Sequence, residues 1–160
     1  MDDIFGFLTG QQWLAILRIG VGLWWLKSFF HKPLREFAQG QMADWTIALA
    51  DNHPVPVFGG MIKSLVGRNR SWFPYLVLTG ELATGIGLTV GILTPISALV
   101  AIFMNLNYLA LAGVRPKDRS VNPAYQCEQG QNINMLLAEV IIFVLDAGSV
   151  WSVDSLLGLF

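Results

Sequence analysis

A run of about twenty apolar residues in a row needs hydrocarbon or a deep core to hide in, and this chain holds several. A helix must be about 20 residues long to cross a bilayer core about 30 Å thick. Stretches of that kind cover about 12–30, 72–93, 95–113 and 132–151. Inside hydrocarbon every backbone N–H and C=O must be satisfied within its own segment, which leaves helix as the form for such runs. The expected fold class is an all-α membrane protein, a four-transmembrane-helix bundle forming one membrane domain over residues 1–160. Composition agrees, with 54% hydrophobic residues and 13% charged, roughly half the charged share of an ordinary soluble domain. A net charge of −1 leaves no electrostatic footprint for nucleic acid. The single cysteine, Cys127, excludes an internal disulfide framework and any multi-cysteine metal or iron–sulfur site. No Cys-x-x-Cys-His motif is present for covalent haem, and no metal ligand set stands out.

The start, Met-Asp-Asp, is acidic, and Arg18 interrupts the first apolar run, so that run reads as a retained helix rather than a cleaved signal. Lys32, Arg35, Lys63, Arg68 and Arg70 fall between the first two runs, and Arg115, Lys117 and Arg119 between the last two. The positive-inside rule places both connections in the cytoplasm and both termini outside. Pro95 suits the first turn of a helix, where its missing N–H costs nothing, so Gly91–Pro95 reads as a hairpin. The connection from His31 to Ser71 is too long for a simple loop. It holds one amphipathic candidate over about Leu34 to Ala50. Another follows Pro54-Val-Pro56, with Val57, Phe58, Met61, Ile62, Leu65 and Val66 at helical spacing. Each suits an interfacial helix or a cap packed on the bundle.

Ionisable groups at membrane depth carry the most information, since each costs at least about 2.5–3.5 kcal/mol at a helix centre. Arg18, Glu81 and Glu139 lie within the runs and are the candidate catalytic residues. A buried cation suits developing negative charge, and desolvation favours the protonated form of a carboxyl group. A long guanidinium side chain reaches either Glu81 or Asp146. Asn132, Glu139 and Asp146, at i, i+7 and i+14, share one helix face. Gly85 shares a face with Glu81, and Gly87-Leu-Thr-Val-Gly91 is a small-xxx-small contact surface. Asn105 and Asn107 point roughly 200° apart on one helix and so serve different surfaces. With Trp24 and Trp25 they are candidates to wall a slot for a quinone ring; the plainer roles are an aromatic belt and interhelical hydrogen bonds. His31 and His53 read as exposed or capping residues. Cys127 reads as an inert thiol in the loop before the fourth run.

Three segments carry a family likeness: Arg18-Ile-Gly-Val-Gly22-Leu-Trp-Trp-Leu26; Gly80-Glu81-Leu-Ala-Thr-Gly85-Ile-Gly-Leu-Thr-Val-Gly91-Ile-Leu-Thr-Pro95-Ile-Ser-Ala98; and Met104-Asn105-Leu-Asn107-Tyr-Leu-Ala-Leu-Ala-Gly113, followed by Asn122-Pro123. The chain resembles the DoxX/DoxD family of membrane proteins over essentially its whole length. The resemblance implies a multi-pass protein of a prokaryotic plasma membrane. It implies the membrane subunit of a quinone-linked redox complex, thiosulfate:quinone oxidoreductase in the DoxD-like branch, with quinone as the non-covalent cofactor and further protein subunits as partners. Arg18, Glu81, Asn105 and Asn107 match the family pattern. This sequence lacks the DoxA-like domain that some relatives have fused; where that domain is required, the resemblance implies one subunit of a larger enzyme, or a protein that is not an enzyme. The alternative is a non-catalytic accessory subunit of a respiratory or photosynthetic complex, since no ligand set for an intrinsic redox centre is evident. A small carrier is a weaker reading, because inverted repeats are missing.

Overall fold

The structure is a computed structural model describing residues 7–159, and every regular element among them is helical. The long helices are α1 (Gly10–His31), α5 (Phe73–Val90), α6 (Thr94–Leu111) and α7 (Tyr125–Val144). Between α1 and α5 lie α2 (Leu34–Glu36), a π-helical turn (Phe37–Gln41), α3 (Met42–Asp51) and α4 (Pro56–Arg68); α8 (Val153–Leu157) follows α7. Three helices, α1, α5 and α6, are long and apolar enough to cross a membrane. The chain termini, placed outside by the charge argument, lie outside the described residues.

The fourth helix departs from expectation in register. It starts at Tyr125 rather than near Asn132 and stops at Val144. Its first half is amphipathic at best, exposing Gln126, Gln129, Gln131 and Asn134, and the apolar exposed surface begins at Ile133. Glutamine is a good helix former, so the helix extends back over residues that hydropathy assigns to a loop. Cys127 therefore sits, exposed, in the first turn of α7 rather than in a loop. At the other end Asp146 adopts φ +49°, and Ala147 N–H donates to Ile142 O at 3.1 Å. That is the left-handed closure usually made by glycine. It takes Asp146 off the buried face that Asn132 and Glu139 share and leaves it exposed.

The chain forms two compact units. The first comprises Met1–Phe29, Gly80–Phe103 and Met135–Phe160. Here α1 and α5 run antiparallel and very close. The space for a Cβ on Gly22 is filled by Leu88 and Thr89 backbone, and that on Gly85 by Leu26. Small residues at such contacts let helices approach in lipid, where van der Waals packing replaces the hydrophobic effect. Polarity is inverted relative to a soluble core. Arg18, Glu81, Thr84 and Glu139 are buried, while Leu23, Ile86, Leu99, Phe103 and Val144 face outward. An apolar perimeter around a polar interior is what a bilayer demands.

The second unit comprises Phe30–Thr79 and Met104–Asn134. Both amphipathic segments are helical, and α3 and α4 pack as a hairpin, with Ala50 O where a Cβ on Gly59 would lie. The run before α3 bends at Gly40, whose φ of +143° is open to glycine. Helix α4 buries Gly59 and Val66 and leaves Val57, Met61 and Leu65 exposed, an apolar stripe at i, i+4 and i+8. The turn between the two helices is pinned by His53, which is 5% exposed. Its Nδ1 accepts from Val55 N–H at 3.0 Å. The other nitrogen, Nε2, must then carry the proton, which it donates to Ala110 O at 3.0 Å. Lys117 N–H adds a bond to Asn52 O at 2.8 Å. His53 is thus a capping residue, as its loop position suggests, and His31 is exposed.

Candidate functional site

The polar interior of the first unit contains two clusters. Both draw on the buried face of α1, where Ala15, Arg18, Gly22 and Trp25 recur at helical spacing. Arg18 and Trp25 are seven residues apart, about 10 Å along the axis, so the clusters occupy different levels.

The first cluster is built around Arg18, which is wholly buried. Its Nη1 donates to Ala147 O at 3.1 Å and its Nη2 to Trp151 O at 2.6 Å. Both acceptors are carbonyls in the segment that follows α7, where the helix no longer supplies N–H partners. The same segment brings in Asp154, 3% exposed, whose charge acts on the guanidinium. Asp154 accepts from Leu93 N–H and Thr94 N–H, each at 2.7 Å. Its own N–H donates to Gly91 O at 2.9 Å. A carboxylate on the first amides of α6 satisfies orphan donors and meets the positive end of the helix dipole. Ser152 O–H donates to Gly148 O and its oxygen accepts from Ser155 N–H at 2.9 Å, starting α8. The backbone is strained here: Leu93, Asp146 and Trp151 have φ near +50° although none is glycine. Such residues persist only where surrounding contacts over-determine them.

The sequence offers Glu81 or Asp146 as the partner of Arg18. Asp146 is exposed and makes no ion pair among the described residues. The carboxylate that acts on Arg18 is Asp154, which hydropathy reasoning passed over because it lies beyond the last apolar run. One signal was available. Ser152-Val-Asp-Ser is a helix start with an N-cap serine and an acid in the first turn.

The second cluster is built around Glu139. Trp25 Nε1–H donates to Glu139 Oε1 at 2.9 Å, and neither residue has any exposed surface. Trp24 packs edge-to-face on Trp25, with centroids 5.4 Å apart and an 86° interplanar angle. Glu81, 1% exposed, lies on the buried face of α5 with Thr84, Gly85 and Leu88. An indole N–H is a neutral donor. It bonds an ionised carboxylate oxygen or the carbonyl oxygen of the protonated acid equally well in geometric terms. Glu139 can therefore gain or lose a proton without losing its tryptophan.

The residues offered for a quinone slot fall in both units. Trp24 and Trp25 belong to the first unit, and Asn105 and Asn107 to the second. Asn105 is wholly buried and Asn107 exposed, as their angular separation requires. A ring slot needs two roughly parallel apolar faces. The tryptophans instead stand perpendicular, and the buried Trp25 has its edge committed to Glu139. Trp24 and Trp25 by themselves present no pair of parallel faces to a quinone ring. Comparisons with protein-family models, with curated proteins and with solved structures gave no match.

Proposed function

We propose that this chain is a four-span membrane subunit of a quinone-linked redox complex and that its own contribution is a proton-exchanging carboxyl group, Glu139. The carrying observation is the buried Trp25–Glu139 hydrogen bond, which holds the carboxyl in place with a neutral donor. The quinone-linked part of the reading rests on the DoxX/DoxD resemblance. The fourth crossing in this reading is the run over about 132–151, from the apolar part of α7 into the segment that follows it. Labelling the native Cys127 with a membrane-impermeant maleimide tests its direction. Reaction from the cytoplasmic side only is expected, together with labelling of Ser149→Cys from the opposite side only. Labelling of both from one side removes the fourth span.

Glu139→Gln in the intact complex is the functional test. The amide oxygen still accepts from Trp25, but the proton is no longer exchangeable. Turnover is expected to fall about 100-fold, the low end of general acid–base effects, with the complex still assembled. Unchanged turnover overturns the proton role. It would favour the second reading, a non-catalytic accessory subunit. One observation supports that reading independently: both Arg18 bonds end on backbone carbonyls, so this charge serves architecture.

A further inference from the structure

The second unit contains a half-open cavity of about 300 Å³. It is lined by His31, Lys32, Phe37, Gln41, Met42 and Trp45, with Pro33 at its rim. We propose that this cavity binds the headgroup of an anionic glycerophospholipid. The assignment rests on the bilayer reading above.

Position comes first. Helix α1 has 22 residues, about 33 Å of apolar helix, and ends at His31. A helix of that length reaches from one edge of a hydrocarbon core to the other, so its last residue lies at headgroup level. The cavity opens there. Its far wall is made by the bend at Gly40, which brings Phe37, Gln41, Met42 and Trp45 to face the end of α1. Chemistry comes second. Lys32, half-buried, lines the cavity, and its Nζ lies 5.8 Å from the centre of the Phe37 ring. A lysine ammonium is a point-charge partner for phosphate oxygens. The imidazole of His31, the amide of Gln41 and the indole of Trp45 add hydrogen-bonding groups. Phe37, Met42 and Trp45, which is 44% exposed, supply apolar wall for a glycerol backbone. Charge comes third. From His31 to Glu36 the chain carries Lys32 and Arg35 against one acid, Glu36. A net-positive stretch at the helix end selects an anionic over a zwitterionic headgroup.

The test uses the full chain in mild detergent, offered an equimolar mixture of phosphatidylglycerol and phosphatidylcholine, with retained lipid read by native mass spectrometry. Phosphatidylglycerol is expected to be retained about fivefold over phosphatidylcholine, the ratio equivalent to about 1 kcal/mol per lysine at an anionic surface. Lys32→Gln is expected to bring the ratio close to one. Gln41→Leu, a cavity residue with no charge to lose, is expected to lower it as well. Lys27→Gln, exposed and outside the cavity, should leave it unchanged. Equal retention of the two lipids in the unaltered protein overturns the proposal. So does an equal loss in the Lys27 and Lys32 variants, which would mean diffuse surface charge. Displacement of the lipid by millimolar inorganic phosphate overturns it in favour of a small-anion site. Failure of the chain to float with phosphatidylglycerol vesicles in a density gradient would instead sink the bilayer reading itself, and this proposal with it.

Discussion

Two buried acids in the first unit meet opposite kinds of partner. Asp154 is fixed by two backbone amides and sits beside a guanidinium that is itself bonded to two carbonyls. Glu139 meets the indole of Trp25, a neutral donor projecting from a regular helix. Around Asp154 the backbone takes up left-handed conformations at Leu93, Asp146 and Trp151; α1 and α7 around Glu139 are undistorted. The first arrangement uses charge to build structure, and changing either charge undoes the backbone around it. The second uses structure to hold a carboxyl group, and a change of protonation leaves the scaffold intact. Buried ionisable groups in a membrane protein thus do not form one class. Whether the partner is backbone or a neutral side chain separates the architectural acid from the exchangeable one.

Mutations break this contrast in a definite order of stability loss, measured as the unfolding midpoint in mild detergent. Arg18→Met comes first, because it strands two carbonyls and the charge of Asp154. A loss of about 2–5 kcal/mol is expected, from about 1–3 kcal/mol for each buried carbonyl left without its donor. Gly91→Ala comes next. Gly91 has φ +71°, and a Cβ there would run into Arg18 and Ser152. Left-handed strain plus overpacking gives about 2–3 kcal/mol. Trp25→Phe keeps the ring but removes the N–H on Glu139, for about 2 kcal/mol. Glu139→Gln should cost under about 1 kcal/mol while abolishing proton exchange; a loss as large as that of Arg18→Met would erase the distinction between the two acids.

The smallest effect is expected at Asp118, in the exposed connection after α6. The Ser120 backbone N–H and hydroxyl hold its carboxyl below the usual carboxylate range. A lowered folded-state value contributes stability above the ordinary carboxylate pKa, and the contribution disappears as pH falls through the lowered one. Asp118 is fully exposed, so Asp118→Asn should leave the midpoint at neutral pH where it was.

Much of the fold was legible because lipid punishes error. Apolar length located α1, α5 and α6 to within a few residues, and Pro95 marked the first turn of α6. Helical angles alone separated the buried Asn105 from the exposed Asn107. Proline and apolar spacing found α4. The misses share a cause. Hydropathy has no signal for polar helix, so the glutamine-rich start of α7 was read as loop. The end of α7 was misjudged because aspartate, rather than glycine, takes the left-handed closing position. That one residue removes Asp146 from the helix face it shares in sequence and turns the chain toward Asp154. For the candidate site, sequence identified Arg18, Glu81 and Glu139 as buried groups. It did not show the partners of Arg18 and Glu139, which lie on segments more than a hundred residues away, as in the 129-residue separation between Arg18 and Ala147.

That separation bears on how the protein is made. When α1 leaves the ribosome, the carbonyls that receive Arg18 have yet to be synthesised; they follow 129 and 133 residues later. Throughout that interval the first helix carries an unmet positive charge, a liability of about 2.5–3.5 kcal/mol if it enters hydrocarbon alone. The helix must wait at the insertion machinery or near the lipid surface until the segment around Asp154 arrives to complete it. Arg18 thereby ties the first helix to the last-made segment: a chain cut short before Ala147 leaves the guanidinium without either of its carbonyls.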